Sequence, residues 1–329
     1  MNRGPIGALC LSVTFTLITG CGGSQLPISA SGAMAQTSGL AQHASHGKSW
    51  MLPEASGEDL LYITRCLTGT CVLSYPTGQL VGTVDGGRAY GAGACVDGEG
   101  NVFIANDDNV LEYAHGDASP FATFSLPGTQ ARGCSVDHIT GNLAVTFEGL
   151  GYDVAIFPKA QGIPTLYPSG VQSWYCGYDN AGNLFVNGLN TAQPALAELP
   201  AGGSKFIPLS ITYKVGFPGE IQWDGRSITW ESLSEYATKI SRLAVSGSAA
   251  NIVGTMVPRG ISGRAGLSWI YGPTVIIPFA RKGDRINKVG VWEYRRGRTT
   301  STYKDFGGKN AELQAATLSP APDKLRAQH

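Results

Sequence analysis

The chain has 329 residues, 45 of them glycine; only 15% are Asp, Glu, Lys or Arg, and 24 acidic side chains cancel 24 basic ones. Such a composition excludes a coiled coil or helical array, and no stretch holds a helical apolar period for several turns. The charge is unevenly placed, with 15 Lys or Arg against 5 Asp or Glu over residues 239–329. No helix or RNA-binding signature accompanies these basic residues, so nucleic acid is not an expected partner.

From the N-terminus, Arg3 precedes the apolar run "IGALCLSVTFTLI" and then "ITGC", which ends at Cys21. The run is too short for a comfortable membrane span and reads as a targeting segment. It resembles a bacterial lipoprotein signal, in which Cys21 becomes the lipidated first residue of the mature chain. The other reading is an ordinary secretory signal cut near "AMAQ" at residues 33–36. Both readings export the protein, and the first anchors it on the periplasmic or cell-surface side of a membrane. Residues 22–58, rich in Gly, Ser, Ala and Gln, are expected to form a flexible tether.

Export allows disulfides. Setting aside Cys10 and Cys21 leaves Cys66, Cys71, Cys95, Cys134 and Cys176, an odd set with at least one unpaired member. In "RCLTGTC" a four-residue connection separates Cys66 from Cys71, which brings their α-carbons into bridging range if the flanking strands form a hairpin. No second Cys or His pair follows at zinc-ligand spacing. Cys95, Cys134 and Cys176 each start a strand near the axis. A Cys95–Cys134 bridge is conceivable there, but buried free thiols are the preferred reading.

The phrase "VDGEGNVFIAN" at residues 96–106 recurs as "VDHITGNLAVT" at 136–146 and "YDNAGNLFVNG" at 178–188. Its anchor residues Asp97, Asp137, Asp179 and Asp224 are spaced by 40, 42 and 45 residues, the period of a four-stranded blade. Asp with Gly or Asn makes the turn, and the apolar segments on either side are the first two strands of the unit. Residues 60–84 supply three strands without a first, and "AELQAATLS" at 311–319 supplies a first strand without the rest. The expected fold class is therefore all-β: a six-bladed β-propeller of four-stranded antiparallel blades, closed by a clasp between the termini. It is expected over residues 59–319, with a tail at 320–329. The "VD..GN" turns over residues 60–319 resemble the NHL and SMP-30/gluconolactonase-like group of six-bladed propellers, and with the lipobox they resemble bacterial propeller lipoproteins of unassigned role. The lactonases of that group bind a divalent metal through a Glu, Asn and Asp set, which cannot be matched here position by position. Streptogramin lyase is similar in its repeats but has seven blades and a catalytic His, whereas His115 and His138 fall away from the expected ligand face.

That face is the one made by the loops from second to third strand and from each blade to the next. The expected ligand residues are Arg88, Tyr90, Arg132, Trp174, Tyr175, Trp230, Glu231, Arg259, Arg264, Arg281 and Arg285. The four last arginines form a basic sector suited to an anionic group. "ANDDN" at residues 105–109 invites a calcium reading, but Asp and Asn are also what that turn requires. Glu231 and Glu235 form an acid pair without a nucleophile beside it. The resulting expectation is a lipid-anchored binding or scaffold module with no catalytic residue and no cofactor. An envelope protein, a glycan or an anionic small molecule is the expected partner. The alternative is a metal-dependent lactonase-like hydrolase.

Overall fold

The structure is a computed structural model that describes residues 49–66, 69–212, 215–234, 237–303 and 312–326. The signal segment, Cys21, the tether as far as residue 48 and the last three residues lie outside the described residues. The protein is all-β, built from antiparallel sheets of mostly four strands.

The first sheet contains β1 (Trp50–Met51), β2 (Asp59–Cys66), β3 (Gly69–Tyr75) and β4 (Leu80–Val84); the second contains β5 (Ala94–Val96), β6 (Val102–Asn106), β7 (Asn109–Tyr113) and β8 (Ala122–Ser125). The third holds β9 (Cys134–Val136), β10 (Leu143–Thr146), β11 (Val154–Phe157) and β12 (Thr165–Tyr167). Next come β13 (Gln172–Tyr178), β14 (Leu184–Asn190), β15 (Gln193–Leu199) and β16 (Ile207–Ile211), then β17 (Phe217–Trp223), β18 (Ile228–Leu233), β19 (Lys239–Ser246) and β20 (Ala249–Met256). These two sets join through a short parallel pairing of β16 with β20. The last set is β21 (Trp269–Tyr271), β22 (Thr274–Phe279), β23 (Lys288–Glu293) and β24 (Thr299–Tyr303). Finally β25 (Ala316–Ser319) pairs antiparallel with β2, Leu60 opposite Ser319 and Ile63 opposite Ala316, so the first sheet holds strands from both ends of the chain.

The repeated phrase acts through its aspartate. Asp97 Oδ1 accepts the backbone N–H groups of Glu99 (2.9 Å) and Asn101 (2.8 Å), and Asp179 Oδ1 does the same for Ala181 and Asn183, both at 2.9 Å. Asp224 accepts from Arg226 and Ser227. The side chain thus bonds turn donors that the sheet leaves unpaired, which is why Asp holds this place. Gly100 and Gly182, with φ of 88° and 81°, supply the left-handed residue of two such turns.

Apolar side chains fill the space between consecutive sheets. Ala94, Val102 and Ile104 of the second sheet meet Leu60, Tyr62 and Val72 of the first. On the other side of the first sheet, Leu61, Ile63 and Leu73 pack with Ile276, Val289 and Val291 of the last. The innermost strands touch in a closed series, β5 to β9, β13, β17, β21, β25 and back to β5. Strands covered on both faces need no strict polar alternation, which explains runs such as Leu60–Ile63.

Two expectations change. Residues 49–58 are not tether: Trp50 is buried and paired opposite Thr83, and Ala55 in the 3-10 turn Pro53–Gly57 is fully buried. A single Trp and Ala cover the outer edge of the first sheet, a signal too short to show as periodicity. Cys95 and Cys134 are bridged rather than free: Cys95 stands one position further along β5 than Cys134 does along β9, so strand alternation turns both side chains into the same space between the two sheets, with their α-carbons 5.7 Å apart. Cys66 and Cys71 are also joined, across the β2–β3 hairpin, and Cys176 is free and buried.

Candidate functional site

Where the chain enters the inner strands, side chains from far-apart segments converge on a pocket of about 230 Å³. Tyr90 precedes β5, Trp174 and Tyr175 lie on β13, and Phe217 begins β17. Arg264 lies between β20 and β21, while Glu312 and Gln314 precede β25.

Local irregularity places the aromatics. In a regular strand Trp174 and Tyr175 would face opposite ways. The register of β13 against β14 shifts between Ser173 and Tyr175, and both rings line the pocket. The Asn187 side chain fixes this: its Oδ1 accepts the Tyr175 N–H at 3.1 Å while its Nδ2 donates to the Gly219 carbonyl at 2.8 Å. Phe217 meets Trp174 edge to face at 4.7 Å between centroids. Tyr90 and Phe217 are 64% and 43% exposed, so two aromatic walls stand open to solvent.

The Arg132 guanidinium lies over the Trp174 ring, 4.1 Å from its centroid, and pairs through Nη2 with Glu148 and with Gln130 at 3.1 Å. Arg264 Nη2 reaches Glu312 Oε1 at 2.7 Å, and Arg285 Nη1 lies 3.7 Å from the other oxygen of the same carboxylate. Arg65 stands over Tyr90, 5.5 Å from its centroid. Beside this group Glu220 and Glu231 are buried carboxyls. Burial, then the neighbouring Glu231, pushes Glu220 well above the carboxylate range. Burial raises Glu231 to about 7, opposed by the N–H groups of Ser268 and Glu220. Burial pushes the Tyr175 hydroxyl up as well, with Glu220 as its largest charged neighbour.

Of the residues expected from sequence, Tyr90, Trp174, Tyr175 and Arg264 line this pocket, Arg132 backs it and Arg285 joins through Glu312. Trp230 does not belong to any rim. It is fully buried among Phe185, Ile221 and Leu243, because β18 runs on to Leu233 and Trp230 lies inside the strand. Glu231 is likewise internal, accepting from Ser268 N at 2.9 Å and the Thr238 hydroxyl at 3.2 Å. The basic sector is split: the Arg259 backbone is held at the β23–β24 turn through Gly297 and Trp292, and Arg281 is exposed. Arg88, expected on the same face, pairs with Asp85 at 2.7 Å. In "ANDDN" the side chains of Asp108 and Asn109 bond each other at 2.8 Å. Among the described residues no group of three His, Cys, Asp or Glu side chains could hold a metal ion. Sequence reasoning missed Phe217, Glu312 and Gln314; the last two fall in the segment 311–319 expected as a closing strand, which begins only at Ala316.

No known family matches the sequence, and no curated protein resembles it. Solved structures do. The chain superimposes on a structure from a nidogen/laminin complex with TM-score 0.62 at 13% identity, covering 80% of this chain and 99% of that one. A Bacteroides caccae protein of unknown function gives TM-score 0.57 at 11% identity, again over 80% and 99%. At such identity the likeness shows the fold alone: the protein is a β-propeller.

Proposed function

We propose that this chain is an exported, lipid-anchored binding module: a six-bladed propeller of NHL/SMP-30-like type, clasped by β25 on β2, that takes its ligand in the pocket above the inner strands. The closed series of inner-strand contacts and the packing of the last sheet on the first support the blade count and the clasp. The "ITGC" sequence after the apolar run supports the anchor at Cys21. The observation that carries the binding reading is the pocket itself. Two solvent-open aromatics and a Trp in contact with Arg132 and Phe217 sit where several loops meet, and concave sites with a few placed polar groups are where small ligands bind. The test is a thermal-shift panel of saccharides, peptides and carboxylates on the full chain in detergent, repeated on Tyr90→Ala/Phe217→Ala. Ligands that stabilise the parent should fail on the double variant; equal shifts in both would move the site elsewhere.

A further inference from the structure

We infer that the pocket recognises the terminal residue of an acidic glycan, a pyranose bearing a carboxylate, stacked on the aromatic walls with its carboxylate turned to Arg132. This rests on the reading of the pocket as the ligand site and adds the class of ligand.

Size comes first. A volume of about 230 Å³ holds roughly eight waters at ~30 Å³ each and falls below the ~300–1,000 Å³ of drug-sized sites. It suits one ring, with the remainder of the ligand outside, beyond the exposed Tyr90. The walls suit a sugar ring rather than an aliphatic side chain. A pyranose offers C–H groups to the negative face of an aromatic ring and hydroxyls to its surroundings. Polar groups stand among the apolar walls of Leu233, Ala265 and Ile286: the Arg264–Glu312 ion pair, the Tyr175 hydroxyl and Gln314. A purely apolar occupant would desolvate that ion pair and return no hydrogen bond.

The acidic group follows from unmatched donors. Arg132 is only 5% exposed, yet Nη2 alone has partners; Nε is buried without an acceptor, and Nη1 has none among the described residues. Nη1 lies against the backbone of Gly91. A Cβ added at Gly91 would lie 3.2 Å from Nη1 and 3.8 Å from the Tyr175 hydroxyl, and the φ of +83° there strains any other residue. Arg65, against Tyr90, also has a buried Nη1 without an acceptor, as does the Trp174 indole Nε1. These three unmatched groups are donors and call for acceptors from the ligand, while Glu312 Oε1 of the Arg264 ion pair, also without a hydrogen bond, is an acceptor open to a ligand hydroxyl. Charge points the same way: Arg132 pairs with Glu148 and Arg264 and Arg285 share Glu312, while burial favours the protonated form of Glu220 and raises Glu231 to about 7. A carboxylate on a fixed guanidinium is among the stronger hydrogen-bonded pairs.

Calorimetry and tryptophan emission on the full chain in detergent provide the test. The probes are an oligosaccharide ending in glucuronic acid, the same compound with that carboxyl reduced to the alcohol, its methyl ester, and a short peptide ending in a carboxylate. The uronate should bind at least tenfold tighter than its reduced and esterified forms and quench Trp174. Arg132→Lys should remove most of that preference; because the comparison is made between ligands on the parent protein, it stands even if the variant folds poorly. Equal binding of uronate and reduced sugar, tighter binding of the peptide, or binding unaffected by Trp174→Phe would each overturn the inference. If the saccharides fail while another panel compound still depends on Tyr90 and Phe217, only the ligand class falls. If no compound depends on them, the pocket reading falls too.

Discussion

Glu231 has three donors around its carboxyl and still titrates near neutrality, because burial outweighs them. A carboxyl whose pKa rises on folding keeps its proton in the native state where the unfolded chain has lost it. It therefore penalises the native state progressively as pH climbs from about 4.5 to about 7. The melting temperature should fall across that interval, and Glu231→Gln, which keeps an acceptor for the Ser268 N–H, should flatten the fall. Glu220, raised well above the carboxylate range by burial and by Glu231, and Glu112, raised to about 7 by burial and by Asp97, leave part of the slope in place. An unchanged slope in the variant would mean that Glu231 is ionised throughout. The Asp179 oxygens take two backbone N–H groups and the Asn183 amide. Asp179→Ala should cost about 1–3 kcal/mol, measured by denaturant melts, because the turn donors lose their acceptor. This residue's role was legible in the sequence, since donor and acceptor lie within four positions. Trp230 was not: it lies inside β18, and whether a residue near a strand's end faces the core or the rim is set by its pairing with β17 and β19 rather than by the apolar pattern.

Among the elements, the two disulfides should differ in weight. Cys95–Cys134 spans 39 positions and ties β5 to β9, whereas Cys66–Cys71 spans 5 and closes a hairpin that already pairs. By loop-closure entropy the long bridge is worth about 4 kcal/mol and the short one about 2. Double Cys→Ala variants should lose stability in that order in denaturant melts, and the reverse order would show that native-state contacts, not loop length, dominate. β25 is held as firmly as any central strand. Besides its ladder with β2, Thr317 donates to the Ala94 carbonyl at 2.7 Å and Ser319 to that of Gly100 at 2.6 Å. Deleting residues 312–329 should therefore expose an edge of β2 and lower the melting of the domain as one transition. A truncated chain that melts like the parent would remove the proposed clasp.

At the scale of the whole molecule, the proposed anchor and the propeller are separate devices. Cys21→Ser should leave the β-sheet circular dichroism and melting unchanged while moving the protein from the membrane to the soluble fraction. Retention after a carbonate wash would dismiss lipidation. The sequence by itself determined the repeat, its turns and the strands of each unit, because those depend on hydrogen bonds spanning two to five residues and on apolar runs that sheets on both sides will cover. It also identified Tyr90, Trp174, Tyr175, Arg132 and Arg264 as residues of one face. Only the tertiary structure decided which of these share a pocket, that Glu312 from the far end of the chain joins them, and that Arg259 stands apart with the β23–β24 turn. The reason is physical. Side-chain convergence is set by the packing of one sheet on the next and by single-residue shifts such as the one at Ser173–Tyr175. Such shifts leave the apolar pattern intact while redirecting what it carries.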